Sequence, residues 1–255
     1  MTLKLLVLFF TPLLSGLLIF LVPKGKNTNY KMLLVFAGSY LFAITVIHIL
    51  PELYRQSLGL ELIGLFVLIG FFLQQLLEYF TSGVEHGHIH TASQEHAHIH
   101  HHSHHHYSVS AIVLLSALCI HAFLEGGMLA QPASLRPVYD PYAILLGIAL
   151  HRAPAAFALM TVLAVQLRSR KRAVPFLVGF SLAAPAGLLI SSFLAHEEVL
   201  SSTGLVYLYA LVCGNFLHIS TTIVFESSPG HKFDARKMAI AVFGALVAVG
   251  VEYVI

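Results

Sequence analysis

Long apolar runs separated by short polar breaks are the feature that most constrains the fold of this chain. Of its 255 residues, 57% are apolar and only 10% are charged, whereas soluble domains carry about 25% charged residues. A run of about 20 apolar residues is long enough to cross the hydrocarbon core of a bilayer as a helix. A transmembrane barrel would instead alternate apolar and polar residues along short strands. The sequence therefore predicts an all-α, multi-pass membrane protein and excludes a soluble fold.

Eight such runs predict eight transmembrane helices in a single transporter-sized domain, residues 1–255. The first run, Met1–Val22, also has the length of a signal peptide. We interpret it as a helix, because only Lys4 supplies positive charge before the apolar run and no small-residue cleavage site follows. The predicted helices cover, to within a few residues, 3–22, 31–54, 58–81, 108–131, 141–167, 172–195, 203–227 and 236–255.

The distribution of lysine and arginine predicts the orientation in the membrane. Basic residues concentrate in three connections, at 24–31, 168–172 and 232–237, while the connection after the sixth helix is acidic. Because basic loops stay on the cytoplasmic side, we expect both termini outside the cytoplasm and the 82–107 connection inside it. A plasma membrane or a bacterial inner membrane is the expected location.

Short sequence similarities favour an internal repeat. Gly38-Ser-Tyr-Leu in the second helix resembles Gly214-Asn-Phe-Leu in the seventh. Two groups of three helices on either side of a central pair would have inverted topology, and many secondary transporters place their site at such a repeat interface. We therefore expect a 3+2+3 arrangement with inverted repeats around a central metal-binding pair, although a similarity this short also arises by chance.

The connection between the third and fourth helices, residues 82–107, is rich in histidine. Its few apolar residues predict a disordered cytoplasmic loop, and dense imidazoles indicate metal affinity. Two interpretations stand: a solvated linker that binds metal incidentally, or an acceptor or sensor for metal on the cytoplasmic side. A disordered segment has no fixed ligand geometry, so we do not expect it to be the transport site. Its histidines are His86, His88, His90, His96, His98, His100, His101, His102, His104, His105 and His106.

Ionisable residues inside the apolar runs mark a candidate site. His121 and Glu125 in the fourth helix are four residues apart and share a face. Imidazole and carboxylate are both ligands for divalent metals such as Zn²⁺. His151 and Arg152 interrupt the fifth helix. Such groups are costly in hydrocarbon and usually line a pathway or a site, although a buried hydrogen bond between His121 and Glu125 is the structural alternative.

A second set of polar residues is a candidate for the pathway or for a secondary metal site. Prolines such as Pro51 remove backbone hydrogen bonds and bend helices, and the freed carbonyls are often satisfied beside a cavity. The two candidates in the second helix have an alternative role as a pair at the membrane interface. The set consists of His48 and Glu52 in the second helix and His218 and Glu226 in the seventh.

These motifs resemble the ZIP family (Zrt/Irt-like proteins) of divalent metal transporters over nearly the whole chain. His121-x-x-x-Glu125-Gly126 matches the family's H-x-x-x-[DE]-G, its most diagnostic piece. The fifth-helix sequence His151-Arg-Ala-Pro-Ala-Ala resembles a subgroup with His-Lys-Ala-Pro-Ala-Ala. Further matches are Gly38 with His48-Ile-Leu-Pro-Glu52, Gly70-Phe-Phe-Leu with Glu78, and Gly214-Asn-Phe-Leu.

The resemblance implies one metal site, formed by His121, Glu125 and His151. Ala155 stands where many family members have a second carboxylate, and Arg152 takes a position that can be an acidic ligand in two-metal members. We therefore expect a single metal beside the fixed positive charge of Arg152, which would replace a second metal electrostatically. A deep arginine needs a carboxylate partner, for which Glu125 is the natural candidate.

The function implied by the resemblance is import of a divalent ion, Zn²⁺ first among them, into the cytoplasm. The ion would be the transported substrate, and the protein would not be an enzyme. Family members alternate access by moving one helix bundle against another. Expected partners are divalent metal ions, membrane lipid and, as a further candidate, a second copy in a homodimer, but not nucleic acid.

Two alternative functions are a non-transporting metal sensor or receptor and an intramembrane zinc hydrolase, although no helix contains H-E-x-x-H. Imidazole–carboxylate sites also accept Fe²⁺, Mn²⁺, Co²⁺ and Cd²⁺.

Overall fold

A computed structural model of the chain describes residues 1–21, 31–56, 59–81, 111–130, 141–226 and 234–254. These residues are helical almost throughout, without strands, and their eight long helices coincide with the eight predicted runs. The prediction of an all-α fold is confirmed. The helices are α1 (Thr2–Leu17, extended by the 3₁₀ turn Leu18–Phe20), α2 (Lys31–Ile44, Thr45–Ile49 and Leu50–Arg55), α3 (Leu60–Thr81), α4 (Ala111–Met128), α5 (Pro141–Gln166), α6 (Arg170–His196), α7 (Ser202–Glu226) and α8 (Ala235–Val254).

The helices have the length and composition of membrane spans. Six of those described, α1, α2, α3, α5, α6 and α7, are long and apolar enough to cross a bilayer, and Leu115–Met128 of α4 forms a shorter apolar helix. Large apolar side chains such as Leu14, Phe72 and Phe243 are exposed on α1, α3 and α8. A helix hydrogen-bonds its backbone internally, so such surfaces are compatible with lipid. The prediction of a multi-pass membrane protein is confirmed.

The second helix is irregular in its middle. Thr45–Ile49 adopts π-helical geometry between two α-helical segments. Pro51 follows it and has no N–H, so the helix loses a backbone hydrogen bond at this point. The Thr45 hydroxyl donates to the Leu41 carbonyl at 2.7 Å. His48 lies in this widened turn, and π-helical turns of this kind are frequent at functional sites.

The contacts between the described helices divide these helices into two groups of four. We call α1, α4, α5 and α6 the first bundle, because α4 packs on α6 and α1 packs on both α5 and α6. The second bundle consists of α2, α3, α7 and α8, in which α3 packs on α7 and α2 packs on α8 and α7. Contacts of α2 with α5 and of α4 with α3 and α7 join the two bundles. The candidate ligands on α4 and α5 therefore belong to the first bundle.

Several helix contacts occur in pairs that an inverted repeat would relate. Exchanging α1 with α6, α2 with α7, α3 with α8 and α4 with α5 converts the α3–α7 contact into the α8–α2 contact. The same exchange converts α4–α6 into α5–α1 and α2–α5 into α7–α4, and all of these contacts are present. These paired contacts are compatible with the 3+2+3 arrangement, which stays a prediction.

Reciprocal glycines allow the backbones of α3 and α7 to touch. A Cβ added to Gly70 would lie 2.7 Å from the carbonyl carbon of Leu211, and one added to Gly214 would lie 2.9 Å from that of Val67. The buried amide of Asn215, with its nitrogen facing α3, donates to the Gly70 carbonyl at 2.6 Å. The Gly-Asn sequence of α7 thus has a packing role, as expected for small residues between membrane helices.

The crossing of α4 and α6 follows the same rule. A Cβ on Gly126 would overlap the carbonyl oxygen of Ala184 and lie 2.6 Å from its carbonyl carbon. A Cβ on Gly187 would lie 2.8 Å from the carbonyl carbon of Phe123. Because Gly126 directly follows Glu125, this crossing fixes the height at which Glu125 lies in the first bundle.

Candidate metal centre

His121 and Glu125 on α4 and His151 on α5 meet at one buried location between the two helices. One ligand atom from each lies within 4.8 Å of the other two. His121 Nε2 is 3.1 Å from Glu125 Oε1, and the two imidazole rings are perpendicular, with centroids 5.9 Å apart. All three side chains are 3% exposed or less. The structure therefore brings together the three residues named from the sequence.

The electrostatics of this cluster suit a cation. Neither carboxylate oxygen of Glu125 accepts a hydrogen bond within the described residues, although Oε1 lies 3.1 Å from His121 Nε2. A buried carboxylate without donors is costly, and a bound cation would remove that cost. Two imidazole nitrogens and one carboxylate oxygen are typical ligands for Zn²⁺ and similar divalent ions, with water at the remaining position.

Arg152 lies beside this cluster but does not bind to it directly. Its guanidinium donates to the carbonyl of Phe180 on α6 at 3.1 Å and stacks 4.8 Å from the centre of the Phe180 ring. No ion pair with Glu125 is present in the described part of the chain, so our prediction of Glu125 as its direct partner is wrong. Consecutive helical residues point about 100° apart, which directs Arg152 to α6 while His151 faces α4. The two charges still interact through space.

Groups from both bundles meet at Leu129 and Ala130, the two residues that follow the end of α4. The Tyr209 hydroxyl of α7 donates to the carbonyl of Ala130, and the Lys4 ammonium of α1 donates to the carbonyl of Leu129 at 3.1 Å. The last carbonyls of a helix have no intrahelical donor, and a cation near them is favourable. Groups from both bundles therefore hold the end of the helix that carries His121 and Glu125.

The secondary candidates in α2 do not belong to this three-residue cluster. Glu52 forms an ion pair with Arg55, with Oε2 and Nη1 3.1 Å apart, and Arg55 is exposed. His48 is half-buried in the π-helical turn. Among the described residues, only His121, Glu125 and His151 gather as three metal-ligand side chains.

The candidate His218 on α7 has a partner that sequence reasoning did not name. Its Nε2 lies 2.6 Å from Oε2 of Glu78 on α3. Both were visible as ionisable residues inside apolar runs, which is the signal that could have paired them. The side chain of Glu226 and all the loop histidines, His86 to His106, lie outside the described residues.

Comparisons with known proteins agree with this architecture. A family profile described as ZIP zinc transporter matches residues 82–252. The chain is 34% identical to zinc transporter ZIP9 of Macaca fascicularis, over 51% of this chain and 62% of the relative. It is 30% identical to zinc transporter ZIP9 of Xenopus tropicalis, over 66% of this chain and 53% of the relative. The matched parts thus span between half and two thirds of the relatives' length. The chain belongs to the ZIP zinc transporter family.

Proposed function

We propose that this chain transports a divalent metal ion, Zn²⁺ first among them, through a site formed by His121, Glu125 and His151. The observation that carries the proposal is the convergence of three buried ligand atoms within 4.8 Å in the first bundle. Relatives named as zinc transporters support zinc as the substrate, and the ion would be cargo, not a catalytic cofactor.

The ligand set supports binding of one ion. Ala155, where a second carboxylate would stand, is buried and apolar, and Arg152 places a fixed positive charge near Glu125. A second cation would be repelled by both the first ion and the guanidinium. Arg152 therefore takes the electrostatic role of a second metal and lowers the affinity of the site for the first ion enough for release.

Import into the cytoplasm is proposed from the family resemblance, and the charge distribution supplies the orientation of the chain. Basic residues in the connections at 24–31, 168–172 and 232–237 favour termini outside the cytoplasm. In that orientation the ion enters the cytoplasm as the first bundle, which carries all three ligands, moves against the second. A plasma membrane or bacterial inner membrane and assembly as a homodimer stay predictions.

Zinc uptake into proteoliposomes tests the proposal. The variants His121→Ala and Glu125→Gln should abolish uptake while the protein still inserts, because each removes a ligand. His196→Ala and Glu197→Gln change the same residue types at the exposed end of α6 and should leave uptake unchanged. Normal uptake by both ligand variants would contradict the proposed site. Zinc binding without uptake by the unaltered chain would favour a sensor or receptor, and zinc-dependent hydrolysis without uptake would favour an enzyme.

A further inference from the structure

Glu78 and His218 form a second pair of ionisable groups inside the second bundle. His218 is 7% exposed, and its Nε2 lies 2.6 Å from Glu78 Oε2, while the Glu78 side chain is 18% exposed. The Phe71 ring and the imidazole are perpendicular, with centroids 4.8 Å apart. Ionisable groups in membrane helices are costly and usually mark a pathway. The α3–α7 crossing is already held by Gly70 and Gly214, so close packing alone does not require this pair.

The hydrogen bonding of His218 leaves one ring nitrogen available. Nδ1 is buried and has no hydrogen-bond partner within the described residues. A buried N–H without an acceptor is costly, so the favoured neutral tautomer carries its proton on Nε2 and donates it to Glu78. Nδ1 then presents a lone pair. Histidines that bind metal usually donate their other ring N–H to a carboxylate, which orients the ring and strengthens the ligand.

The position of the pair relates it to the proposed transport site. Glu78 lies three residues before the end of α3, and His218 lies eight residues before the end of α7. Because successive membrane helices alternate in direction, these ends lie on the side where α4 begins. His121 lies ten residues into α4. At about 1.5 Å per residue, the pair is roughly 3–10 Å closer to that side than His121. This is the side to which we assign the cytoplasm.

We propose that His218 binds the transported divalent ion through Nδ1, as a second and weaker site on its way out of the central one. Glu78 is a positioning residue that holds the imidazole in the required tautomer. Thr222 lies one turn further along α7, where its hydroxyl donates to the His218 carbonyl at 2.9 Å, and water would complete the shell. This inference rests on the proposed transport function. Passage requires binding that is favourable enough to enter and weak enough to leave, which a site with one imidazole provides.

Equilibrium dialysis with radioactive zinc tests the second site. The background is the full-length chain in which the loop histidines are replaced by serine and the central site is removed by His121→Ala and Glu125→Ala. We expect this background to bind one ion weakly. Adding His218→Gln should abolish that binding, and Glu78→Gln should weaken it by about 10–100-fold. The control His196→Gln removes an exposed imidazole on α6 and should change nothing.

The outcomes separate this inference from the proposed function. No binding by the background, or binding that persists after both His218→Gln and Glu78→Gln, would overturn the second site. Glu78→Gln keeps a hydrogen-bond acceptor of the same size, so its effect does not depend on misfolding, and size-exclusion chromatography checks each variant. The loop-substituted chain with its central site intact is measured in parallel. If it takes up zinc but binds only one ion, the second site fails and the transport function stands. If uptake survives removal of the central site, the proposed function fails.

Discussion

Replacing Gly126 or Gly187 with alanine should separate α4 from α6 and disturb the metal centre. A Cβ on Gly126 would lie 2.6 Å from the carbonyl carbon of Ala184, and one on Gly187 would lie 2.8 Å from that of Phe123. Non-bonded carbon atoms prefer about 3.5–4.0 Å. The helices must therefore move apart by about 1 Å, because the obstructing atoms are backbone and cannot rotate away.

The cost of this separation follows from the overlap. Forcing extra atoms into a well-packed interior costs about 1–3 kcal/mol, which corresponds to a fall in Tm of about 2–12 °C for a chain of this size. Metal ligands must hold their distances within about 0.2 Å. A displacement of about 1 Å beside Glu125 should therefore reduce zinc affinity by more than the loss of stability alone would.

Thermal unfolding in detergent and zinc uptake measure the two effects separately. Gly179→Ala is the matched control, since Gly179 is also in α6 and nothing lies within 4 Å of its added Cβ. Alanine there should keep uptake and raise stability by up to about 1 kcal/mol, because alanine is the better helix former. Equal Tm and equal uptake for Gly126→Ala, Gly187→Ala and Gly179→Ala would refute the close crossing.

Three further predictions follow from the structure. Arg152→Met should tighten zinc binding by about tenfold or more, as expected for removing a nearby charge at an effective dielectric constant near 20, whereas Arg152→Lys should not. Unchanged affinity of Arg152→Met in a binding titration would contradict the electrostatic role. Tyr209→Phe loses the hydrogen bond to Ala130 and should destabilise the protein by about 1 kcal/mol, whereas Tyr207→Phe, whose ring stacks on Phe66, should not. Equal unfolding temperatures of the two variants would count against the Tyr209 contact. Serine at all the histidines of 86–106 should leave most zinc uptake intact, because the composition predicts a loop without fixed ligand geometry. Loss of uptake in vesicles would assign the loop a direct role.

Local periodicity was enough to predict much of the fold and part of the centre. The length of the apolar runs predicted the helices, because each must hydrogen-bond its backbone internally in lipid. The spacing of His121 and Glu125 placed them on one face of α4, since residues four apart are neighbours on a helix. The meeting of α4 with His151 on α5 depends on tertiary packing, and the role of His151 as a third ligand came only from the family resemblance.

The features that sequence reasoning missed depend on direction and distance in space. Arg152 was assigned to Glu125, but its place one residue after His151 turns it toward Phe180. Glu78 and His218 are 140 residues apart in the chain, so no local pattern connects them. The π-helical turn at Thr45–Ile49 was likewise not predicted, although Pro51 indicated a bend, because proline removes a hydrogen bond without specifying which helical geometry replaces it.

The most direct test of the central claim is to locate the transported ion in the protein. A zinc-edge anomalous difference map from zinc-soaked crystals of the full-length chain should show a peak between α4 and α5. We predict that this peak lies about 2.0–2.2 Å from a nitrogen of His121, a nitrogen of His151 and an oxygen of Glu125, and that it disappears in Glu125→Gln. Zinc bound elsewhere in the helices, with these three side chains unligated, would contradict it.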